Sequence, residues 1–425
     1  MVAFSLCVIS CNRGLSEEKK LFFPRDTIPY IVMGKTENNQ IVIDKVIDLH
    51  GCLCELPNGI TLVARGGIVK NGILKGNMTR IKSNGKVFSN VAIKGSWNVP
   101  DISTNLFSDL SYENALRDVV GLSHPKVHNR IVIEKGCYRV KAEKNADVCI
   151  PICSNTDFIL NGSISLEPNG YKSYDILQAQ GENISIKGKG TIIGDKHTHA
   201  SDIGEWGMGI NLAHGVNTIV SGLTIKDCWG DCIYVGGNSK NVLIENCKLD
   251  HGRRQGISVT KADGVTIRNC KITNVGGTAP EYAIDLEPNA NDTVDHILIE
   301  NVKVERCKGG FLSFKGMNSP RTTIGEIVIK NCTLSVRDKY PICLKRSKSV
   351  LVEKCTVYTS NAKAAIYTDD VEKVTIRKNT INVDYSFLSN VKNSVRKMVG
   401  YNAYAPIMVR KAARKVVGGN RINEE

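Results

Sequence analysis

The sequence predicts an all-β chain wound as a parallel β-helix, and three observations carry that expectation. The first is a repeat. NTIVSGLTI from Asn217, NVLIENCKL from Asn241, GVTIRNCKI from Gly264, HILIENVKV from His296, EIVIKNCTL from Glu326, SVLVEKCTV from Ser349 and KVTIRKNTI from Lys373 start 23 to 32 residues apart. A period in the twenties, made of alternating apolar residues and a turn, marks a solenoid. No helical period lies between these units, so the coils are built of strands. The second observation is a corner. Asn246, Asn269, Asn301 and Asn331 recur at one place in the unit, and Asn tolerates the left-handed backbone a tight bend needs. The third is a short apolar run after each corner: CIYV from Cys232, GISV from Gly256, AIDL from Ala283, FLSF from Phe311 and PICL from Pro341. Ile233, Ile257, Ile284, Leu312 and Ile342 are expected to stack inward, and the residues between them to face out.

Composition fits this frame. The chain has 425 residues, 38 glycines for turns, and only three tryptophans for a thin core. Fifty-six Lys and Arg against 42 Asp and Glu give a net charge of +14, which favours a polyanionic partner. There is no compact basic stripe or nucleic-acid motif, so an acidic polysaccharide lying along the solenoid is expected rather than nucleic acid. Of the 15 cysteines, Cys247, Cys270, Cys332 and Cys355 follow the Asn corners, with Val302 filling the missing rung. They are expected as reduced core residues. Cys52 with Cys54, and Cys149 with Cys153, lack the second pair of a zinc site.

Residues 1–29 read as leader and linker. An apolar start ends in Val8-Ile9-Ser10-Cys11, which resembles a bacterial lipobox with Cys11 as the lipidated residue, although a basic n-region is missing. No later run is long enough to span a membrane. Residues 30–425 are expected to be a single β-helix domain. Irregular first coils and a cap occupy 30–155, with SYENALRDVVGL as a helix capped by Ser111 and covering the solenoid end. Regular coils fill 156–383, and a helix from Ser386 plus one last coil complete 384–425.

The outward positions of the short runs collect unusual residues. The first outward column reads Asn211, Tyr234, Ser258, Asp285 and Ser313. The second reads Gly236, Thr260, Glu287, Lys315 and Lys345. Asp231, Gln255 and Tyr282 align just before the run, and Arg254 aligns with Glu281 one step earlier. Adjacent coils stand about 4.8 Å apart, so these side chains form one patch a few coils tall. Asp285 and Glu287, at i and i+2, project from the same side of a strand. Two like charges so close must share a proton, a cation or basic neighbours.

RRQGISV and, one coil later, GGTAPEYAIDLEPN resemble a segment of right-handed parallel β-helix proteins in the pectate-lyase-like superfamily. That superfamily includes carbohydrate-processing proteins of gut bacteria and phage depolymerases. The likeness is specific over Asp227 to Asn289 and architectural over most of the chain. The acidic Ser16-Glu17-Glu18 after Cys11 resembles the export tract of gut Bacteroides-type surface lipoproteins, which implies a lipid anchor on the outer membrane or periplasmic face of a Gram-negative cell. The resemblance implies polysaccharide cleavage by a protein expected to be monomeric. Polygalacturonase-type members carry GDDC and then GHG. Here WGDC keeps Asp231 but has Gly230 where the other aspartate belongs, and Gln255 stands at the histidine. That departure favours a lyase acting on a uronate polymer by β-elimination. Arg254, or Ca2+ on Asp285 and Glu287, would neutralise the substrate carboxylate, and Lys315 or Tyr282 would serve as base or acid. The alternatives are a hydrolase using Asp231, Asp285 and Glu287, or a non-catalytic carbohydrate-binding solenoid. Trp206 is expected to stack on a sugar ring. Asn211, Tyr234, His251, Arg253, Gln255 and Lys345 are expected to contact substrate. His197 and His199, helped by Asp202 or Glu205, form a weaker metal-pair candidate.

Overall fold

The computed structural model describes residues 27–33, 36–315, 321–336, 338–359, 364–384 and 405–424. Each regular coil carries three strands, not the two expected from the sequence. In one coil they are Ser239–Glu245, Lys248–Asp250 and Ile257–Val259. The first two are separated only by the corner Asn246-Cys247, so in the sequence they merge into one run. Each strand pairs in parallel with its counterpart one coil on, and three sheets run along the spiral. The result is a right-handed parallel β-helix.

The corners behave as their residues dictate. Asn246, Asn269, Asn301 and Asn331 have φ of 56°, 54°, 52° and 56°, the left-handed region that Asn enters at small cost. Asn301 Nδ2 donates to Asn269 Oδ1 at 2.7 Å. A second ladder, absent from the sequence reading, joins Asn155, Asn183, Asn217 and Asn241 by side-chain bonds of 3.1 to 3.2 Å. The four ladder cysteines are buried free thiols, and Val302 fills the gap in their row.

Inside, Val220, Ile244, Ile267, Ile299, Ile329, Val352 and Ile376 stack in the first sheet. Leu249, Ile272, Val304 and Leu334 do so in the second. Each such side chain contributes roughly 1.5–3 kcal/mol by leaving water. The third sheet bears the candidate site, and its inward row is Ile210, Ile233, Ile257, Ile284, Phe311, Ile342 and Ile366. Phe311, not Leu312, is the inward residue of its coil. A one-residue shift of register turns every later side chain to the opposite face. Leu312 therefore faces outward opposite Asp285, and Ser313 is buried.

Shorter parallel coils lie between Thr27 and Trp97. The expected helix is the six-residue Ala115–Val120, with Asn114 rather than Ser111 at its N-cap. It packs on the strands Phe88–Trp97, Cys137–Val140 and Asp147–Ile152. It therefore fills a seam between the first coils and the regular ones instead of covering an open end. Asp118 on this helix accepts the Ile93 N–H at 2.8 Å. The expected last coil is present as Ile407–Gly418 and Arg421–Glu424, paired with the coil before. Cys11 and the helix expected from Ser386 lie outside the described residues. Among the described residues no helix is long and apolar enough to cross a membrane.

Candidate active site

The outer wall of the third sheet brings Asp231, Arg254, Gln255, Tyr282, Asp285 and Glu287 together over three coils, as the sequence predicts. Arg254 is the hub. Its Nη1 donates to Asp231 Oδ2 at 3.2 Å, and its Nε stands 3.8 Å from Glu205 Oε2. Asp285 and Glu287 lie close enough for their charges to add to those two in holding the guanidinium protonated.

The two aspartates sit deep in this wall. Asp231 is 0% exposed and Asp285 1%. Asp231 Oδ2 also accepts the Ser258 hydroxyl. Asp285 Oδ2 accepts from Gln255 Nε2 at 2.6 Å. In both residues the other oxygen, Oδ1, is buried and receives no N–H donor. Burial pushes the Asp231 carboxyl above its ordinary range against the pull of Arg254. Asp285 is pushed well above it, by burial first and then by the charge of Glu287. Glu287 is half-buried and, with Glu205 and Arg254, forms the exposed edge of the cluster.

Local sequence explains these positions. A Cβ on Gly256 would fall 2.5 Å from Ala283 O and 2.7 Å from Ile272 Cγ2, so the Gln-Gly step lets the coils close up. Gly230 has a similar reason for replacing an aspartate: a Cβ there would lie 2.5 Å from Glu205 O. The GGTAPEY insertion is a brace. Gly277 N donates to Glu281 Oε1 at 2.8 Å, and that carboxylate pairs with Lys308 at 2.5 Å and Lys339 at 2.9 Å. These donors outweigh burial and hold Glu281 down at about 2. The brace presents the Tyr282 N–H to Gln255 Oε1 at 2.9 Å.

Other predicted residues fall elsewhere. Lys315 is not in the acid cluster. The register of Phe311 places Phe314 beside Glu287, and the Lys315 ammonium bonds Thr322 O at 2.9 Å. Lys345 shares the outer wall two coils beyond Asp285, over the rings of Phe314 and Tyr367 at 5.8 and 5.6 Å. Gln255 is fully buried with both polar ends engaged, so it is not a substrate contact. Tyr282 is 7% exposed, and burial raises its hydroxyl above the ordinary phenol range, which disfavours a basic role. Tyr234 bonds Thr260 at 2.8 Å. His251 pairs with Asp250 at 2.9 Å and faces His197. Arg253 lies 3.6 Å over the Trp229 ring and donates to Gly204 O at 3.0 Å. Trp206 is 47% exposed, one coil below Asp231.

The two loop histidines do not form a metal pair. His197 contacts Asp227 at 3.2 Å, whereas the buried His199 bonds Asp195 at 2.8 Å and stacks on Trp229 at 3.9 Å. The donors for Ca2+ do not fit either. Asp285 already accepts an amide hydrogen, a guanidinium stands beside the pair, and among the described residues no cluster of three or more His, Cys, Asp or Glu could hold a metal. Calcium needs roughly six to eight oxygens, and no step is drawn through it.

One acid was missed in the sequence, and another was placed with the wrong partner. Glu205, expected to help the His197 and His199 pair, instead stands beside Arg254; it precedes Gly207, which pairs with the coil of Asp231. Asp175 lies two coils below Asp231 in the same column, where Asn211 and Gln178 donate to it at 2.9 Å. Burial pushes Asp175 up to about 6. Asn211 is thus tied to a protein carboxylate.

Residues 144–284 and 279–402 match the model of the right handed beta helix region. The chain belongs to that beta helix family. The match includes the whole acid cluster. Over 212 residues, 42% of this chain and 35% of the relative, the chain is 30% identical to the uncharacterized protein YclG of Bacillus subtilis (strain 168). Over 162 residues, 32% of this chain and 28% of the relative, it is 31% identical to the SPbeta prophage-derived uncharacterized protein YorA of the same organism. The aligned stretches thus span about a third of those relatives' lengths. Among solved structures, it resembles a hyperthermoactive exopolygalacturonase from Thermotoga maritima at 13% identity and a TM-score of 0.46, over 76% of this chain and 90% of that one.

Proposed function

We propose that this beta helix protein is a polysaccharide-cleaving enzyme that hydrolyses a glycosidic bond with carboxylates arranged around Arg254. One observation carries the reading: Asp231 and Asp285 are both buried around one guanidinium, and Asp231 Oδ1 has no hydrogen-bond partner in the protein. Buried polar atoms in folded proteins are nearly always hydrogen-bonded. A water or a sugar hydroxyl is the partner that Asp231 Oδ1 calls for.

The roles follow from environment. Asp231, paired with Arg254, is the base, and the water held at its Oδ1 is the nucleophile. Asp285 and Glu287 are like charges on one side of a strand and share a proton. Glu287, at the exposed edge, delivers that proton to the glycosidic oxygen as the bond to the anomeric carbon breaks. Water forms the new bond to that carbon, and its proton passes to Asp231. Asp231 and Glu287 stand two coils apart on either side of Arg254, whose guanidinium feels both charges. Elimination ranks second because neither Lys315 nor Tyr282 is placed or tuned as its base.

An anionic polymer is the proposed substrate. Lys345 and Arg346 flank the Phe314 ring farther along the same wall, and the chain carries a net +14. The test is incubation with pectate, alginate, chondroitin sulfate and hyaluronan. New reducing ends without ultraviolet absorbance from an unsaturated product are expected. Asp231→Asn and Glu287→Gln should each lower the rate about 10²–10⁴-fold. Growth of that absorbance would replace hydrolysis by elimination, and retention of polymer without cleavage would make the protein a binder.

A further inference from the structure

Gln255 touches the acid machinery without reaching the surface. It is 0% exposed. Its Oε1 accepts the Tyr282 backbone N–H at 2.9 Å. A backbone N–H only donates, so the amide orientation is decided: the carbonyl faces Tyr282 and the NH₂ faces Asp285. Nε2 then donates to Asp285 Oδ2 at 2.6 Å. An oxygen receiving that donor is a poor seat for a proton. The remaining oxygen, Oδ1, is buried and receives no N–H donor, while the Glu287 carboxyl lies within hydrogen-bond reach of Asp285.

We propose that Gln255 is a positioning residue: it clamps Asp285 Oδ2 so that the proton shared with Glu287 resides on Oδ1. The inference rests on the acid role given above to Asp285 and Glu287. The clamp is itself held by the 276–281 insertion, whose Glu281 is anchored by Lys308 and Lys339 just before Tyr282. The insertion, Gln255 and the acid pair thereby form one chain of contacts. The charged and titratable groups around Asp285 are Glu287 on its own strand, Arg254 and Asp231 from the coils below, and Tyr282 at the start of its strand. Leu312 opposes it from the coil above.

The test is Gln255→Met in the full chain, with Gln255→Asn as a second variant in case the first does not fold. Both remove the clamp. A donor to a carboxylate favours its charged form, so its loss makes Asp285 hold its proton more tightly. The alkaline limb of the pH-rate profile should move up by about one unit, with a lower kcat. The Asp285 side-chain carbon, followed by carbon-13 NMR and assigned with Asp285→Asn, should show the same rise. If the limb and the NMR midpoint stay put while kcat falls equally at every pH, Gln255 is only structural and the proposal is overturned. Loss of cleavage in Glu287→Gln beside that result leaves the hydrolase reading standing. A moved NMR midpoint in a protein that cleaves none of the polymers removes the hydrolase reading and keeps the clamp.

Discussion

Arg254 Nη1 lies 3.2 Å from Asp231 Oδ2, and this is the contact through which a fully buried carboxylate keeps a counter-charge. Removing one member of a buried pair costs about 3–5 kcal/mol because the other charge is left uncompensated. Arg254→Met should lower the urea midpoint strongly at pH 7. Asp231 already binds its proton more tightly folded than unfolded. Without Arg254 that preference grows, so the deficit should shrink as pH falls and the carboxyl is neutralised. An equal loss at pH 7 and pH 4 would contradict this.

Glu281 titrates in the opposite sense. Lys308, Lys339 and the Gly277 N–H hold it at about 2, below its ordinary 4.5. Its contribution is present above the unfolded value and is lost as pH falls from 4.5 toward 2. Lys308 is half exposed, so the effect is about 1 kcal/mol. Glu281→Gln should be less stable than the parent at pH 7 and equal to it near pH 2, measured by thermal melts at the two pH values.

The register at the Phe311 coil is open to a direct comparison. Phe311 is 1% exposed and stacks between Ile284 and Ile342. Phe311→Ala should cost about 3–5 kcal/mol. Leu312→Ala, on the outer face, should cost under about 1 kcal/mol. The reverse order in chemical denaturation would restore Leu312 to the core.

Asn301 combines a φ of 52° with a bond to Asn269. Asn301→Ala loses the bond and strains the backbone, together about 1–2 kcal/mol. Asn301→Gly relieves the strain alone and should recover part of the loss. If Ala and Gly melt at the same temperature, the corner conformation contributes nothing.

The repeat itself was legible because each coil writes the same pattern: alternating apolar residues, an Asn bend, a small buried thiol. That periodicity named the spiral, the inward rows and the wall that gathers Asp231, Arg254, Asp285 and Glu287, since stacking at a constant interval is a local rule. Which partner each side chain takes was not local. Phe311 and Leu312 are equally apolar, and only packing between Ile284 and Ile342 chose between them; that choice moved Lys315 away from the acids. Gln255 became a clamp because a backbone N–H delivered by an insertion 27 residues later met its carbonyl. Glu205 joined Arg254 across a coil boundary that no spacing marks. A strand's alternation is set by its own bonds, whereas the proton a carboxylate keeps is set by whatever the neighbouring coils place against it.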